Sequence, residues 1–137
     1  MRTGFAPLRG PDGADGGAGG LPGIDVKNGL TVMGGNTGLY ARMLKKFADS
    51  TYYDDLAAAV RCGDTADIQA HAHALKGIAA NLSLRPLLEL VTAIEQEAKA
   101  GAAIPADDER MGDLERIYRR TRESALAASE NPALLTP

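Results

Sequence analysis

The sequence predicts an all-α protein: an antiparallel, up-and-down four-helix bundle with a short extra helix at its N-terminal end. Apolar residues make up 45% of the 137 residues, but aromatic residues only 4%, and tryptophan is absent. A core of Leu, Ala, Ile, Val and Met favours helices over a sandwich of strands. Between residues 24 and 128, apolar residues recur at helical spacing, and no stretch alternates as a strand would. Long amphipathic segments joined by short loops are typical of such a bundle.

The chain divides into three segments by composition. Residues 1–23 hold half of the 16 glycines and three of the prolines, without an apolar period. Such a segment buries too little apolar surface to offset its ordering entropy, so we expect a flexible leader or linker. Residues 24–128 are expected to form the bundle domain, and residues 129–137 a flexible C-terminal tail.

The first two helices are predicted from their caps. Asp25 is a good N-cap for a short helix that Gly34 and Gly35 end. Asn36 then caps a long helix that is predicted to continue to Gly63. Its apolar stripe consists of Leu39, Met43, Phe47, Leu56 and Val60.

The next two helices have equally clear boundaries. Asp64 caps the first of them, with Asp67 in the N3 place of a start that resembles a capping box. It is predicted to run to Leu82, with an apolar stripe of Ile68, Leu75, Ala79 and Leu82. The following helix begins near Leu84 or Arg85 and tolerates Pro86 in its first turn before Gly101 ends it.

The last predicted helix opens at Pro105. Gly112 is expected to weaken its early turns, because glycine costs about 1 kcal/mol relative to alanine inside a helix. The apolar stripe consists of Met111, Leu114, Tyr118, Thr121 and Ala125.

Charge and cysteine content exclude several classes of partner and site. The formal net charge of −3 argues against a nucleic-acid partner, which would normally require a basic face. Cys62 is the only cysteine, so no internal disulfide or multi-cysteine metal site is possible, and a reducing compartment fits best. No apolar run approaches the length of a membrane span. We therefore expect a cytoplasmic protein without direct membrane contact.

The chain has two histidines, His71 and His73, which lie in the helix that follows Asp64. Residues two apart on a helix point about 160° away from each other, so the pair cannot clamp one metal ion. His71 falls among the apolar residues and is predicted to lie in the core or at its edge. A metal or cofactor site within the bundle is accordingly disfavoured.

His73 lies on the opposite face, among small residues. Gly77 costs helix stability there, and one gain that would explain it is the close approach of another macromolecule. The alternative is an exposed histidine on a solvated helix with an incidental glycine. The residues that share this face are Ala66, Gln69, Ala70, Lys76, Gly77 and Ala80.

The segment "AHALKGIAANLSL", from Ala72 to Leu84, resembles the phosphoacceptor helix of histidine-containing phosphotransfer (HPt) domains, whose pattern is AHxLKG. The resemblance extends upstream through "LPGIDVKNGLTVMGGNTGLYARMLKKFA" and covers roughly residues 21–100. It implies a four-helix bundle in which His73 accepts the phosphoryl group and Lys76 stabilises its charge. Gly77 and Ala80 match the small positions of the family's docking face, and we place Gln69 and Ala70 at the same partner-binding surface.

The resemblance also implies a role in a multistep two-component phosphorelay. His73 would accept a phosphoryl group from the aspartate of one receiver domain and pass it to another. The protein would be a relay intermediate without kinase activity of its own, and a monomer. Its expected partners are response-regulator receiver domains and a hybrid sensor histidine kinase. It would need no cofactor of its own, since Mg²⁺ belongs to the receiver.

Two positions depart from the family pattern. Ser83 stands where glycine is usual at the end of the motif, and Ile78 stands where serine or alanine is usual. Ile78 lies towards the core side and is expected to alter packing, whereas Ser83 is expected to alter how the helix ends. Neither change removes a reacting group.

Some alternatives stay open on the sequence. The bundle could be an adaptor that docks or sequesters a receiver domain without being phosphorylated. Glu95 and Gln96, on the next helix, are possible polar neighbours of the imidazole. Two basic clusters could meet an acidic receiver surface, although such charges are more often solvated helix faces: Lys45 with Lys46, and Arg116, Arg119, Arg120 and Arg122.

Overall fold

The computed structural model describes residues 21–136, and this part of the chain contains helices and no strand. The all-α prediction is therefore confirmed. Residues 1–20 of the predicted leader lie outside the described residues, and so does residue 137. The helices are α1 Val26–Val32, α2 Thr37–Ala48, α3 Tyr52–Cys62, α4 Thr65–Leu82, α5 Arg85–Lys99, α6 Glu109–Glu130 and a closing 3-10 helix, Pro132–Leu135.

The predicted N-caps are confirmed at three helices. The side chain of Asp25 accepts a hydrogen bond from a backbone N–H in the first turn of α1. Asn36 does the same for α2, and Asp64 accepts from two backbone N–H groups of α4. These bonds satisfy donors that have no partner inside the helix.

The single long second helix predicted from the sequence is two helices, α2 and α3, which residues 49–51 separate. The hydroxyl of Ser50 donates to the carbonyl of Phe47 at 2.6 Å, and Nε of Arg122 in α6 donates to the carbonyl of Ala48 at 2.8 Å. Carbonyls at the end of a helix need such partners. The break is therefore stabilised by a residue distant in sequence.

The start of α6 also differs from the prediction. Asp108, not Pro105, precedes the helix, and its side chain accepts from the backbone N–H of Arg110 at 2.9 Å. Gly112 lies within the first turns of α6 without ending the helix. Proline at 105 thus belongs to the connection between α5 and α6.

Both ends of the described chain pack against the bundle, although the sequence predicts residues 21–23 as part of the leader and residues 129–137 as the tail. Leu21 is buried, and the hydroxyl of Ser124 donates to the carbonyl of Pro22 at 2.7 Å. α6 runs past Ser129, and Leu135 in the 3-10 helix is fully buried. Apolar residues beyond the predicted domain limits therefore contribute to the core.

The core is mainly aliphatic, as the composition predicts, and Tyr40 and Phe47 are fully buried within it. α4 packs against α5 and α3, α2 packs against α6, and α5 also contacts α6. α4, which carries His73, therefore has one exposed side, and α5 is its main neighbour. Fully buried side chains come from every helix from α2 to α6 and include Leu44, Leu56, Leu75, Ile94 and Leu114.

Ser83 forms the turn between α4 and α5 in a left-handed conformation, with φ of +60°. The N–H of Leu84 donates to the carbonyl of Ala79, and that of Ser83 to the carbonyl of Ala80, which is the Schellman arrangement. Asn28 Nδ2 donates to the Ser83 hydroxyl at 2.7 Å. The glycine usual in the family fits such a turn without strain, and here a serine fills it and bonds to α1.

Two variants should separate the strain at Ser83 from its hydrogen bond. Ser83→Gly and Ser83→Ala both lose the bond from Asn28, but only glycine adopts a positive φ at little cost. We expect Ser83→Gly to be more stable than Ser83→Ala by about 1 kcal/mol in chemical denaturation. Equal unfolding free energies for the two variants would show that the turn does not strain residue 83.

Candidate functional site

The exposed face of α4 carries the small residues predicted to surround His73. Gln69 and Lys76 are half-buried at its borders. The remaining positions of this face are exposed, as the helical spacing predicts: Ala66, Ala70, His73, Gly77 and Ala80.

His71 lies at the edge of the core. It is half-buried, whereas Ala72 is fully buried and the imidazole of His73 is 69% exposed. The two rings therefore occupy different environments on one helix, which agrees with the predicted core-edge position of His71. Ile78 is also half-buried and packs against the core cluster, so it is a packing residue.

Glu95 of α5 joins His73 and Lys76 in a three-residue cluster. Nδ1 of His73 lies 2.8 Å from Oε2 of Glu95, and Nζ of Lys76 lies 2.5 Å from Oε1. The side chain of Glu95 is only 8% exposed, and that of Lys76 is 33% exposed. Each carboxylate oxygen thus has one cationic or N–H partner, as a buried carboxylate requires.

The hydrogen bond from Lys76 holds the pKa of Glu95 below its ordinary value, and the hydrogen bond from His73 acts in the same direction against the effect of burial. An ionised carboxylate can only accept hydrogen bonds, so Nδ1 of a neutral His73 must carry the proton. The lone pair of the imidazole is then on Nε2, the nitrogen that is not bonded to Glu95.

The lowered pKa of Glu95 gives a pH-dependent contribution to stability. Because the folded-state pKa lies below the unfolded value of about 4.5, the contribution is complete above that pH and is lost as the pH falls through the folded-state pKa. We expect the difference in unfolding free energy between wild type and Glu95→Gln to shrink below about pH 4.5. A difference that stayed constant down to pH 3 would contradict the charged pairing.

Glu95 was one of two possible neighbours that the sequence offered, and the structure selects it over Gln96. Val91, Glu95 and Ala98 follow one another at helical spacing, and all three are buried. A glutamate on a buried stripe needs a partner, which is the sequence signal for its role. Gln96 is exposed and borders a shallow cavity instead.

Several cations of the two basic clusters have partners within the domain. Lys45 pairs with Asp49 in the turn that ends α2, and Arg119 pairs with Glu115 in α6. Arg122 donates to the carbonyl of Ala48, as described above. These contacts fit solvated or structural side chains on α2 and α6.

No contact within the described chain explains why residue 77 is a glycine. A Cβ atom built on it would meet no other atom within 4 Å. The residue therefore weakens α4 without relieving any contact inside the domain. Its bare surface is available to an external partner.

Residues 21–136 contain no cluster of metal ligands and no membrane-spanning helix. No three His, Cys, Asp or Glu side chains in this range come together in a way that could hold a metal ion. None of the helices described here is long and apolar enough to cross a membrane.

Comparison with known proteins identifies the family. No curated protein and no solved structure matches the chain. The family model of the Hpt domain matches residues 43–126, which is more than half of the chain and includes His73, Lys76 and Glu95. With its helical fold and an exposed histidine on the AHALKG helix, this chain belongs to the Hpt domain family.

Proposed function

We propose that this chain is a phosphohistidine carrier that accepts a phosphoryl group on Nε2 of His73. Hpt domains serve histidine phosphotransfer in phosphorelays and interact with receiver domains and kinases. The observation that carries the proposal is the 2.8 Å contact between Nδ1 of His73 and Glu95. It orients the ring and leaves the other nitrogen exposed and basic.

The transfer is not a redox reaction, so it requires neither an oxidant nor a reductant. The lone pair of Nε2 attacks the phosphorus of a receiver's aspartyl phosphate, the new N–P bond forms, and the bond from phosphorus to the aspartyl oxygen breaks. The electron pair leaves with the aspartate carboxylate. Nδ1 keeps its proton, and Glu95 stabilises the positive charge that the ring gains. Transfer to a second receiver aspartate reverses these steps.

Lys76 has two roles in this mechanism. In the free chain its ammonium favours the ionised form of Glu95, so that the carboxylate accepts a hydrogen bond from Nδ1 of His73. Its position one helical turn from His73 also allows the ammonium to approach the phosphoryl oxygens when the phosphate arrives. We therefore propose that Lys76 also stabilises the negative charge of the phosphoryl group.

The small residues around His73 support docking of a receiver. Transfer requires the aspartyl phosphate to come within bonding distance of Nε2, so large side chains near the ring would hinder it. Ala70, Gly77 and Ala80 leave the ring prominent, and Gln69 borders the same face. We assign these four residues to partner binding.

Gly77→Ala and Gly112→Ala form a matched pair of tests. Both glycines lie in helices with open space around them, so each change should stabilise the fold by about 1 kcal/mol. Only Gly77→Ala adds a methyl group next to His73, and it alone should slow phosphoryl acceptance. Thermal denaturation and transfer rates check the two effects, and equal transfer rates would argue against docking at Gly77.

We propose that α2 to α6 form an up-and-down antiparallel bundle and that the domain acts as a monomer. Its partners are receiver domains and a hybrid sensor histidine kinase, Mg²⁺ is bound by the receiver, and the chain has no kinase activity of its own. A cytoplasmic setting fits its single cysteine.

Phosphotransfer from a phosphorylated receiver domain in the presence of Mg²⁺ tests the proposal. We expect acid-labile phosphate on the wild type and on His71→Gln, but not on His73→Gln. His71→Ala should lower stability and leave acceptance largely intact, since His71 is a core-edge residue. An unlabelled wild type would favour the adaptor function, and equal labelling of His73→Gln would exclude His73 as the acceptor.

A further inference from the structure

A shallow cavity of about 370 Å³ lies directly beside the histidine cluster. Two of its lining residues, Lys76 and Glu95, belong to that cluster. The others come from the end of α5 and the residue after it: Gln96, Lys99 and Ala100. The cavity thus extends the surface around His73 towards the C-terminal end of α5.

The charges around this cavity do not cancel. Both oxygens of Glu95 are occupied, one by Lys76 and one by His73. Glu97, the other acidic residue near Lys99 on α5, is bound by Arg110, which also bonds to Asp108. Within residues 21–136, Lys99 forms no ion pair with a carboxylate. Its ammonium therefore gives the cavity a positive edge.

The position of Lys99 at the end of α5 is one reason for a lysine at this residue. A cation in the last turn interacts favourably with the carbonyl end of α5. That interaction leaves the side chain exposed and requires no neighbouring cavity. The additional features are the adjacent cavity, the neutral Gln96 that can donate or accept hydrogen bonds, and the continuity with the phosphoacceptor site.

We propose that Lys99, together with Gln96, is a second contact surface for the receiver domain and binds an acidic side chain of that partner. This inference rests on the proposed function. Protein sites that hold Mg²⁺ beside a phosphoryl group commonly use one or two carboxylates as oxygen ligands, which makes the surroundings of the receiver's aspartyl phosphate acidic. An acidic rim on the receiver would then face Lys99 when His73 reaches the phosphorus atom.

The charge of Lys99 should act on association and not on the chemical step. Charges at the rim of an interface mainly change the association rate and its dependence on salt. At low ionic strength we expect the receiver's Kd to rise about threefold for Lys99→Gln and about tenfold for Lys99→Glu. The rate of phosphoryl transfer at saturating receiver should remain within about twofold of wild type, since Lys99 is a rim charge.

The experiment measures binding of Mg²⁺-loaded receiver domains to the full chain by calorimetry, with phosphotransfer assayed separately. Lys46→Glu is the matched control, since Lys46 is an exposed lysine on α2. Weaker binding of Lys99→Glu than of Lys46→Glu, with the difference lost at high salt, would support the inference. Equal binding of the two variants to a receiver that labels His73 would overturn the inference and leave the proposed function intact. A wild type that binds receivers through Lys99 but is never labelled would instead overturn the carrier function.

Discussion

Glu95→Ala is expected to slow phosphoryl acceptance by His73 roughly 100-fold, the upper range for loss of a side chain that orients a metal-bound imidazole. Without the carboxylate, Nδ1 loses the partner that lies 2.8 Å away, and the ring no longer favours the tautomer with a free Nε2. The positive charge that forms on the ring also loses its counter-ion. The measurement is the single-turnover rate of transfer from a phosphorylated receiver.

Two further variants sharpen this test. Glu95→Gln can still accept from Nδ1 but has no charge, so it should fall between wild type and Glu95→Ala. Glu89→Ala, an exposed glutamate on the same helix, is the control and should leave the rate unchanged. A folded Glu95→Ala variant that transferred at the wild-type rate would show that the hydrogen bond has no role in the reaction.

The largest expected loss of stability follows from Gly29→Ala. A Cβ on Gly29 would overlap the hydroxyl end of Tyr40, whose ring is fully buried. That hydroxyl donates to the carbonyl of Leu82 at 2.6 Å, so the ring cannot move without losing a buried bond at the end of α4. Overpacking of this kind should cost about 2–3 kcal/mol of unfolding free energy.

Gly38→Ala is the matched control for this change. Gly38 lies in the first turn of α2, and a Cβ there would make only ordinary contacts, at 3.6 and 3.7 Å. Alanine should therefore be neutral or slightly stabilising. Burial, with a smaller effect of Asp25, raises the pKa of Tyr40 well above its usual range, so the hydroxyl stays a donor throughout a denaturation study at neutral pH. Equal unfolding free energies for Gly29→Ala and Gly38→Ala would contradict the close packing of α1 on Tyr40.

Local signals in the sequence predicted most helix boundaries, and distant contacts explain the errors. Asp25, Asn36 and Asp64 are caps because their own side chains bond to the helices they begin. The break after Ala48 depends on Arg122 in α6, which is 74 residues away. No local pattern indicates that contact.

The same distinction applies to the site. Helical spacing alone was enough to separate His71 from His73 and to place Gly77 on the exposed face, because both are properties of one helix. The selection of Glu95 over Gln96 depends on how α5 packs against α4. The proposed role of Lys99 depends further on the pairing of Glu97 with Arg110, which requires the start of α6 as well.

Nitrogen NMR of the imidazoles in the phosphorylated chain tests the role of His73 most directly. We expect phosphorus bound to Nε2 of His73, a proton retained on Nδ1, and an unmodified His71. Phosphate on Nδ1 of His73, or on any other residue, would contradict the role of Glu95 in directing the reaction to Nε2.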